Sequence, residues 1–268
     1  MLGGTAQCDE KLSSEDPVLK SIRSAWSKRE QAISDARFEF QIDRVEPNRN
    51  YTTWNLLCVD GAKVRYELKT LQGNGPSSHQ INTYNSKIST SLYPEVENFD
   101  DPLGYINNWR GFDTAHTVDN QPLLWMYAIQ QADLAYLDLN KLALTKKTGT
   151  INKRKCLILE KPAEPGRNYV ETYWIDPSLD HSIVRKTTAN NGFPSTQVDV
   201  EYRVSNVGKS KCATPNTWTT VRFDKRGNIR THSAVAIMKA EFSPNFADEV
   251  FELDFPPGTV IQDNRKGK

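Results

Sequence analysis

The sequence predicts a mainly β (α+β) protein. Its centre is one large antiparallel sheet of about eleven strands, curved around an N-terminal helix and a helical insertion. Three features lead there. Polar and apolar residues alternate with period two over much of the chain. Turn residues separate the alternating runs at hairpin spacing. No strand–helix–strand repeat occurs, which excludes a doubly wound nucleotide-binding fold. A sheet of this many strands must curl, split or close.

The first element is a helix. Ser13, Ser14 and Asp16 precede Pro17, a residue suited to the first helical turn. Val18, Ile22, Trp26 and Ile33 then recur at helical spacing, with Lys20, Arg23, Lys28 and Arg29 elsewhere around the circumference. The spacing predicts an amphipathic helix of about 18 residues.

The period then changes to two. Ala36, Phe38, Phe40 and Ile42 alternate with Arg37, Glu39, Gln41 and Asp43. Tyr51–Asp60 follows, then the Asp60-Gly61 turn, and then Ala62, Val64, Tyr66 and Leu68 in alternation with charged residues. His79–Tyr84 and Lys87–Tyr93 form a further hairpin. Over residues 94–140 the alternation disappears and Pro94, Pro102 and Pro122 punctuate the chain. Within this insertion, residues 122–129 (Pro-Leu-Leu-Trp-Met-Tyr-Ala-Ile) read as a short helix, apolar all round, with Asp119 or Asn120 as its cap. Such a segment is buried or covers a cavity. Strands resume near Leu142 and continue through 155–161, 168–176, 182–188, 197–204, 217–223, 228–242 and 246–254. The Asp224–Gly227 loop joins two of them.

Composition excludes several functions. The 268 residues carry a net charge of +1, so no global basic field exists to hold nucleic acid. The longest unbroken apolar run, Leu123–Ile129, is too short to span a bilayer. The G-x-S-x-G, P-loop and H-E-x-x-H motifs are absent. The four histidines, at 79, 116, 181 and 232, are scattered, and Asp176, Asp180 and Glu201 resemble ordinary wet-face carboxylates. The chain therefore reads as non-enzymatic, with no catalytic residue, no metal site and no cofactor. Cys58 and Cys156 sit in strand-like runs and read as buried thiols, whereas Cys8 and Cys212 lie in loop-like sequence and could pair if the protein is exported, the connectivity being open among three. Residues 1–12 read as a disordered tail or the end of a signal peptide, with Gly4 and Ala6 at the small-residue positions before a cleavage point. Gln7 is the wrong residue to precede a lipidated Cys8.

Several segments taken in order carry a resemblance. They are the helix ending Ala-Trp-Ser-Lys-Arg-Glu that runs into Arg-Phe-Glu-Phe, the strand Tyr-Trp-Ile-Asp-Pro-Ser at 173–178 with Ile-Val-Arg-Lys after it, and the closing Phe-Glu-Leu-Asp-Phe-Pro-Pro-Gly-Thr-Val-Ile-Gln-Asp at 251–263. This order resembles the LolA/LolB-like superfamily of lipoprotein carriers, including MucB-type periplasmic regulators, and most of all uncharacterised exported members from planctomycete-type bacteria. The resemblance implies one half-barrel domain over residues 13–263, with residues 264–268 as a tail and helices filling or lidding the concave side. It implies a periplasmic or otherwise exported protein whose cavity shelters the acyl chain of a lipid or lipoprotein. The alternative is an envelope sensor that binds a partner protein through the same fold. The insertion at 94–140 departs from the family's lid arrangement. By analogy, the ligand-binding residues are Phe38, Phe40, Ile42, Val64, Tyr66 and Leu68 from the first strands, with Leu123, Leu124, Trp125 and Tyr127 from the apolar helix.

Overall fold

The computed structural model describes residues 16–75, 78–95, 100–107, 119–127, 137, 139–163, 168–207 and 210–265. Helix α1 spans Pro17–Ala32. Six strands follow: β1 (Asp35–Glu46), β2 (Arg49–Asp60), β3 (Lys63–Gly73), β4 (His79–Asn85), β5 (Ser89–Glu95) and β6 (Leu103–Asn107). The one-turn helix α2 (Gln121–Leu124) runs into a 3₁₀ turn at Trp125–Tyr127. The second half contains β7 (Ala143–Ile151), β8 (Arg154–Lys161), β9 (Tyr169–Asp176), β10 (Ser182–Asn190), β11 (Phe193–Val207), β12 (Ser210–Phe223), β13 (Ile229–Phe242) and β14 (Val260–Asp263).

All fourteen strands form one curved, open sheet in the order β14-β6-β5-β4-β3-β2-β1-β13-β12-β11-β10-β9-β8-β7. Two hairpin ladders, β1–β6 and β7–β13, meet where β1 pairs with β13. The sheet has three strands more than the eleven or so expected, and the extra count has identifiable sources. β6 lies inside the supposed insertion, where Leu-Gly-Tyr-Ile-Asn gives no clean alternation. β14 pairs with it in parallel, the one parallel ladder among the described residues, whereas only antiparallel pairing was expected. Residues 246–254 are not a strand. They form an extended strap with a 3₁₀ turn at Asp248–Phe251.

Alternation assigns the two faces. Ala36, Phe38, Phe40 and Ile42 of β1 point to the concave side with Leu57, Val59, Val64, Tyr66, Trp218 and Val235, and all join one buried cluster. Helix α1 lies on this side. Asp16 caps it, accepting from Val18 N at 2.7 Å and from Leu19 N. The helix has 16 residues, and its buried stripe is Leu19, Ile22, Ala25, Trp26, Arg29 and Glu30. Arg29, expected on the wet side, is buried. Its guanidinium donates to Ser182 Oγ at 3.0 Å and to the Asp180 carbonyl, and burial lowers its pKa. Trp26 Nε1 donates to the His181 carbonyl at 2.7 Å. The β9–β10 turn thus holds α1 along its length, from Ser21 to Arg29.

The strap runs back across the outer face. Phe251 is buried on Leu56 and Cys58, edge-on to Phe246 at 5.3 Å between centroids. Further on, the Phe255 ring takes the space that a Cβ on Gly104 would need, which explains a glycine in the middle of β6. Cys58 and Cys156 are buried thiols, as expected; Cys212 is also buried, in β12 rather than in a loop. The pairing considered for it involves Cys8, which lies outside the described residues, as does His116.

If the strap is packed as described, Phe251→Ala lowers stability by about 3–5 kcal/mol, the usual cost of emptying a buried aromatic site. Urea unfolding should show a lower midpoint at an unchanged slope. An unchanged midpoint would show that the strap does not brace the outer face.

Candidate functional site

The concave face is where the strand residues and the insertion meet. Of the ten residues expected to bind ligand, Phe38, Phe40, Ile42, Val64, Tyr66, Leu123, Leu124 and Trp125 lie in one buried cluster, and Leu68 packs against it. The side chain of Tyr127 lies outside the described residues. The helix expected over 122–129 is shorter: one α turn followed by a 3₁₀ turn, with 128 and 129 outside the described residues. Asn120 occupies the cap position but makes no side-chain cap bond, and Asp119 is engaged elsewhere.

Residues 119–127 act as a plug on this face. Leu123, Leu124, Trp125 and Met126 are each at most 2% exposed, and the plug touches α1 and β12. The space that the sequence left for a ligand is filled here by the chain itself.

The start of the plug is held by polar contacts that the sequence reading did not anticipate. Arg44, the next inward residue of β1 after Ile42, bonds the Asp119 carboxylate. Arg222 Nη2 lies 3.9 Å from the same carboxylate. Trp218 Nε1 donates to the Asp119 carbonyl at 2.7 Å. Tyr51 OH bonds Arg44 at 3.0 Å, and Arg44 Nε donates to Ser233 Oγ at 3.3 Å. Burial opposes the Arg44 charge, yet Asp119 and Tyr51 outweigh it and raise the pKa. Asn120 bonds the Tyr66 hydroxyl, which also donates to Asn55 Oδ1 at 2.7 Å; burial pushes Tyr66 up to about 12. Lys186 Nζ reaches Gln121 Oε1 at 3.3 Å.

Lys186 belongs to a second internal group. Its ammonium is 2.6 Å from Glu171, and both side chains are buried. Tyr173 OH donates to Glu171 at 3.1 Å, and Lys161 approaches it at 3.5 Å. Burial alone would raise the Glu171 pKa, but the two ammonium groups and the tyrosine bring it below the ordinary value. The one available signal for these residues is phase. Arg44, Arg222, Glu171 and Asn55 each continue an inward-facing series that is otherwise apolar or uncharged, whereas the bulge between Ile183 and Arg185 breaks that phase before Lys186.

The scattered carboxylates do other work. Asp176 caps the turn after β9 and pairs with Arg154 at 3.1 Å. Glu201 accepts from Thr217 at 3.1 Å on the outer face. Near it, a groove of about 510 Å³ runs over Thr217, Thr219, Ala234 and Ala236, walled by Asp43, Glu201 and the paired Asp199 and Arg185. Among the described residues no helix is long and apolar enough to cross a membrane.

With an inner face, a helix and a plug defined, comparison with solved structures becomes informative. An outer membrane lipoprotein-sorting protein domain from Vibrio parahaemolyticus aligns over 87% of this chain and 95% of its own, with 11% identity and a TM-score of 0.54. The chain has the fold of that domain, a curved, open half-barrel sheet. Two structures align more loosely. A DUF1329 family protein from Desulfovibrio piger covers 87% of this chain and 97% of its own at 12% identity and TM-score 0.49. The Mycobacterium tuberculosis lipoprotein LppX covers 86% and 98% at 10% identity and TM-score 0.32. No protein-family model and no curated protein matches the sequence.

The Glu171–Lys186 pair yields a pH prediction. The folded-state pKa of Glu171 is depressed, so its stabilisation is present above the ordinary glutamate value, near 4.3, and is lost as pH falls through the lower folded value. Glu171→Gln leaves Lys186 buried without its charge partner and costs about 3–5 kcal/mol at neutral pH. It also flattens the acid limb of a stability-versus-pH curve, readable from thermal melts between pH 3 and 7. A variant as stable as the parent, with the same acid limb, would show that the pair is not formed.

Proposed function

We propose that this chain is a non-enzymatic, exported protein that holds the acyl chain of a lipid or lipoprotein on its concave face, in the place that residues 119–127 now fill. The observation that carries this reading is the plug itself. It is a short segment whose apolar residues Leu123–Met126 are buried, and its polar start is tied to the sheet by side-chain contacts.

The energetics suit exchange. Burying each of four such side chains is worth about 1.5–3 kcal/mol, and an acyl chain gains about 0.8 kcal/mol per buried methylene. A chain of some ten buried methylenes therefore balances the plug to within a few kcal/mol. A carrier needs that balance, because a site far better than its plug would hold its cargo too long to deliver it. The fold shared with a lipoprotein-sorting domain supports the same reading. Phe38, Phe40, Ile42, Val64, Tyr66 and Leu68 would form the inner wall, and Leu123, Leu124, Trp125 and Tyr127 the segment displaced.

The second reading is an envelope module that binds a protein partner. The groove on the outer face favours it, because that surface is open without any rearrangement.

Native mass spectrometry and a fluorescent C11 or C16 acyl probe separate the two. The carrier reading expects one probe per chain, removable by organic extraction. Trp218→Phe keeps an aromatic ring but removes the hydrogen bond to the Asp119 carbonyl, loosening the plug by about 1 kcal/mol or more. Probe affinity should then rise about fivefold or more. Absence of uptake in both proteins would sink the carrier reading and turn attention to the outer groove.

A further inference from the structure

Asp119 is the only carboxylate of the described plug, and it is placed as a ligand would be. Around it the sheet presents donors from four adjacent strands. One row across the concave face runs Thr220, Ser233, Arg44 and Tyr51, in direct cross-strand register through β12, β13, β1 and β2. Arg222 is the next inward residue of β12. Arg44 bonds the carboxylate, Arg222 stands 3.9 Å away, and Trp218 holds the carbonyl of the same residue. Two guanidinium groups thus serve one carboxylate.

Two buried atoms here are unsatisfied. Asp119 Oδ1 and Thr220 Oγ1 have no hydrogen-bond partner among the described residues, and both residues are at most 1% exposed. A buried hydroxyl without a partner is costly, so the pocket offers more hydrogen-bonding capacity than one carboxylate in this pose uses. The other charged groups nearby are Glu46, which accepts from Tyr51 OH at 3.3 Å, and Arg49, which pairs with Glu46 at 2.7 Å. Without Asp119, therefore, three guanidinium groups would face one carboxylate.

The site also lies near a way out. Arg222 is 43% exposed at its side chain, and a surface groove of about 460 Å³ opens beside Arg44 and Tyr51. The apolar wall of Phe40 and Ile42 lies directly below Arg44 on the same face of β1.

We propose that Asp119 stands in for an oxyanion head group, and that the ligand is an anionic amphiphile whose carboxylate or phosphate monoester takes its place between Arg44 and Arg222 while its chain replaces the plug. This deepens the acyl-chain reading and rests on it. Planar guanidinium groups suit both head groups, since each offers paired oxygens to a fork of N–H donors. The tetrahedral phosphate has an oxygen to spare for Thr220.

The test holds the chain constant and varies the head. Competition against the fluorescent acyl probe is measured with palmitate, 16:0 lysophosphatidic acid, monopalmitin and inorganic phosphate, for the wild type, Arg222→Gln and Asp119→Asn. Arg222 is the more exposed arginine, so its variant is the safer to fold, and a melting curve checks each protein. The expected result is that palmitate or lysophosphatidic acid competes at least tenfold better than monopalmitin, that Arg222→Gln shrinks this ratio at least fivefold, and that Asp119→Asn tightens the anionic ligands. Equal competition by anionic and neutral amphiphiles overturns the head-group site while leaving the acyl reading intact. Competition by inorganic phosphate as strong as that of lysophosphatidic acid overturns the amphiphile in favour of a free oxyanion. No binding by any amphiphile overturns both readings together.

Discussion

The concave face has to be filled, and much of the structure answers to that requirement. Fourteen strands present an inner surface of phenylalanine, leucine, isoleucine and valine that cannot be left in water. One helix of 16 residues is about 24 Å long and covers only part of it. It lies at the end where the β9–β10 turn reaches Trp26 and Arg29. The other end is left for residues 119–127. A peptide segment is an awkward filler, because its own amide groups need partners as well. Trp218 meets the Asp119 carbonyl, and Tyr66 and Lys186 meet the side-chain amides of Asn120 and Gln121, which is why polar side chains appear in an otherwise apolar interior.

The interior is therefore amphipathic rather than uniformly greasy. Near α1 it is built from Ile22, Trp26, Ile33, Phe38 and Val59. Towards the β1–β2 and β12–β13 turns it turns to Arg44, Tyr51, Arg222 and Ser233. Ion pairs buried this way contribute little net stability, because desolvation cancels most of the attraction. Their effect is positional: breaking either pair leaves a charge stranded, so the plug can start at one place only. Arg44 with Asp119 sets that place, and Lys186 with Gln121 sets the next residues along the face.

How much of this was legible in the sequence depended on the length and purity of the pattern. Ala36 to Ile42 and Val64 to Leu68 alternate without interruption, and both runs face inward as read. The helix was clear from Pro17 and Trp26. β6 was hidden because Gly104 answers to Phe255, a contact spanning 151 positions that no local window contains. β14 was hidden because its four residues are exposed and gain their place only from pairing with β6. The apolar run at 122–129 showed that something would be buried, but its length as a helix was overread: Trp125 to Tyr127 tighten into a 3₁₀ turn against α1. The polar end of the site was missed for a different reason. Arg44 follows Ile42 in the inward phase, but nothing local shows whether a charge in that phase marks the end of the buried face or a buried partner. Here it meets a carboxylate 75 residues away.

The outer strap bears on how such a site could exchange its contents. Phe251 and Phe255 tie residues after β13 across β2 and β3 to β6, bracing the sheet from outside at the strands that carry Leu57, Val64 and Tyr66 inside. A braced sheet keeps its inner surface whether the plug or another apolar group lies on it. Among the described residues, the groups that would change partners are few: the Asp119 carboxylate, its carbonyl, Asn120, Gln121 and four apolar side chains. Substitution on a standing surface costs far less than opening a core, because the strand ladders and the α1 contacts stay in place. In the carrier proposed above, residues 119–127 would be the part that moves, and the sheet, strap and N-terminal helix its frame.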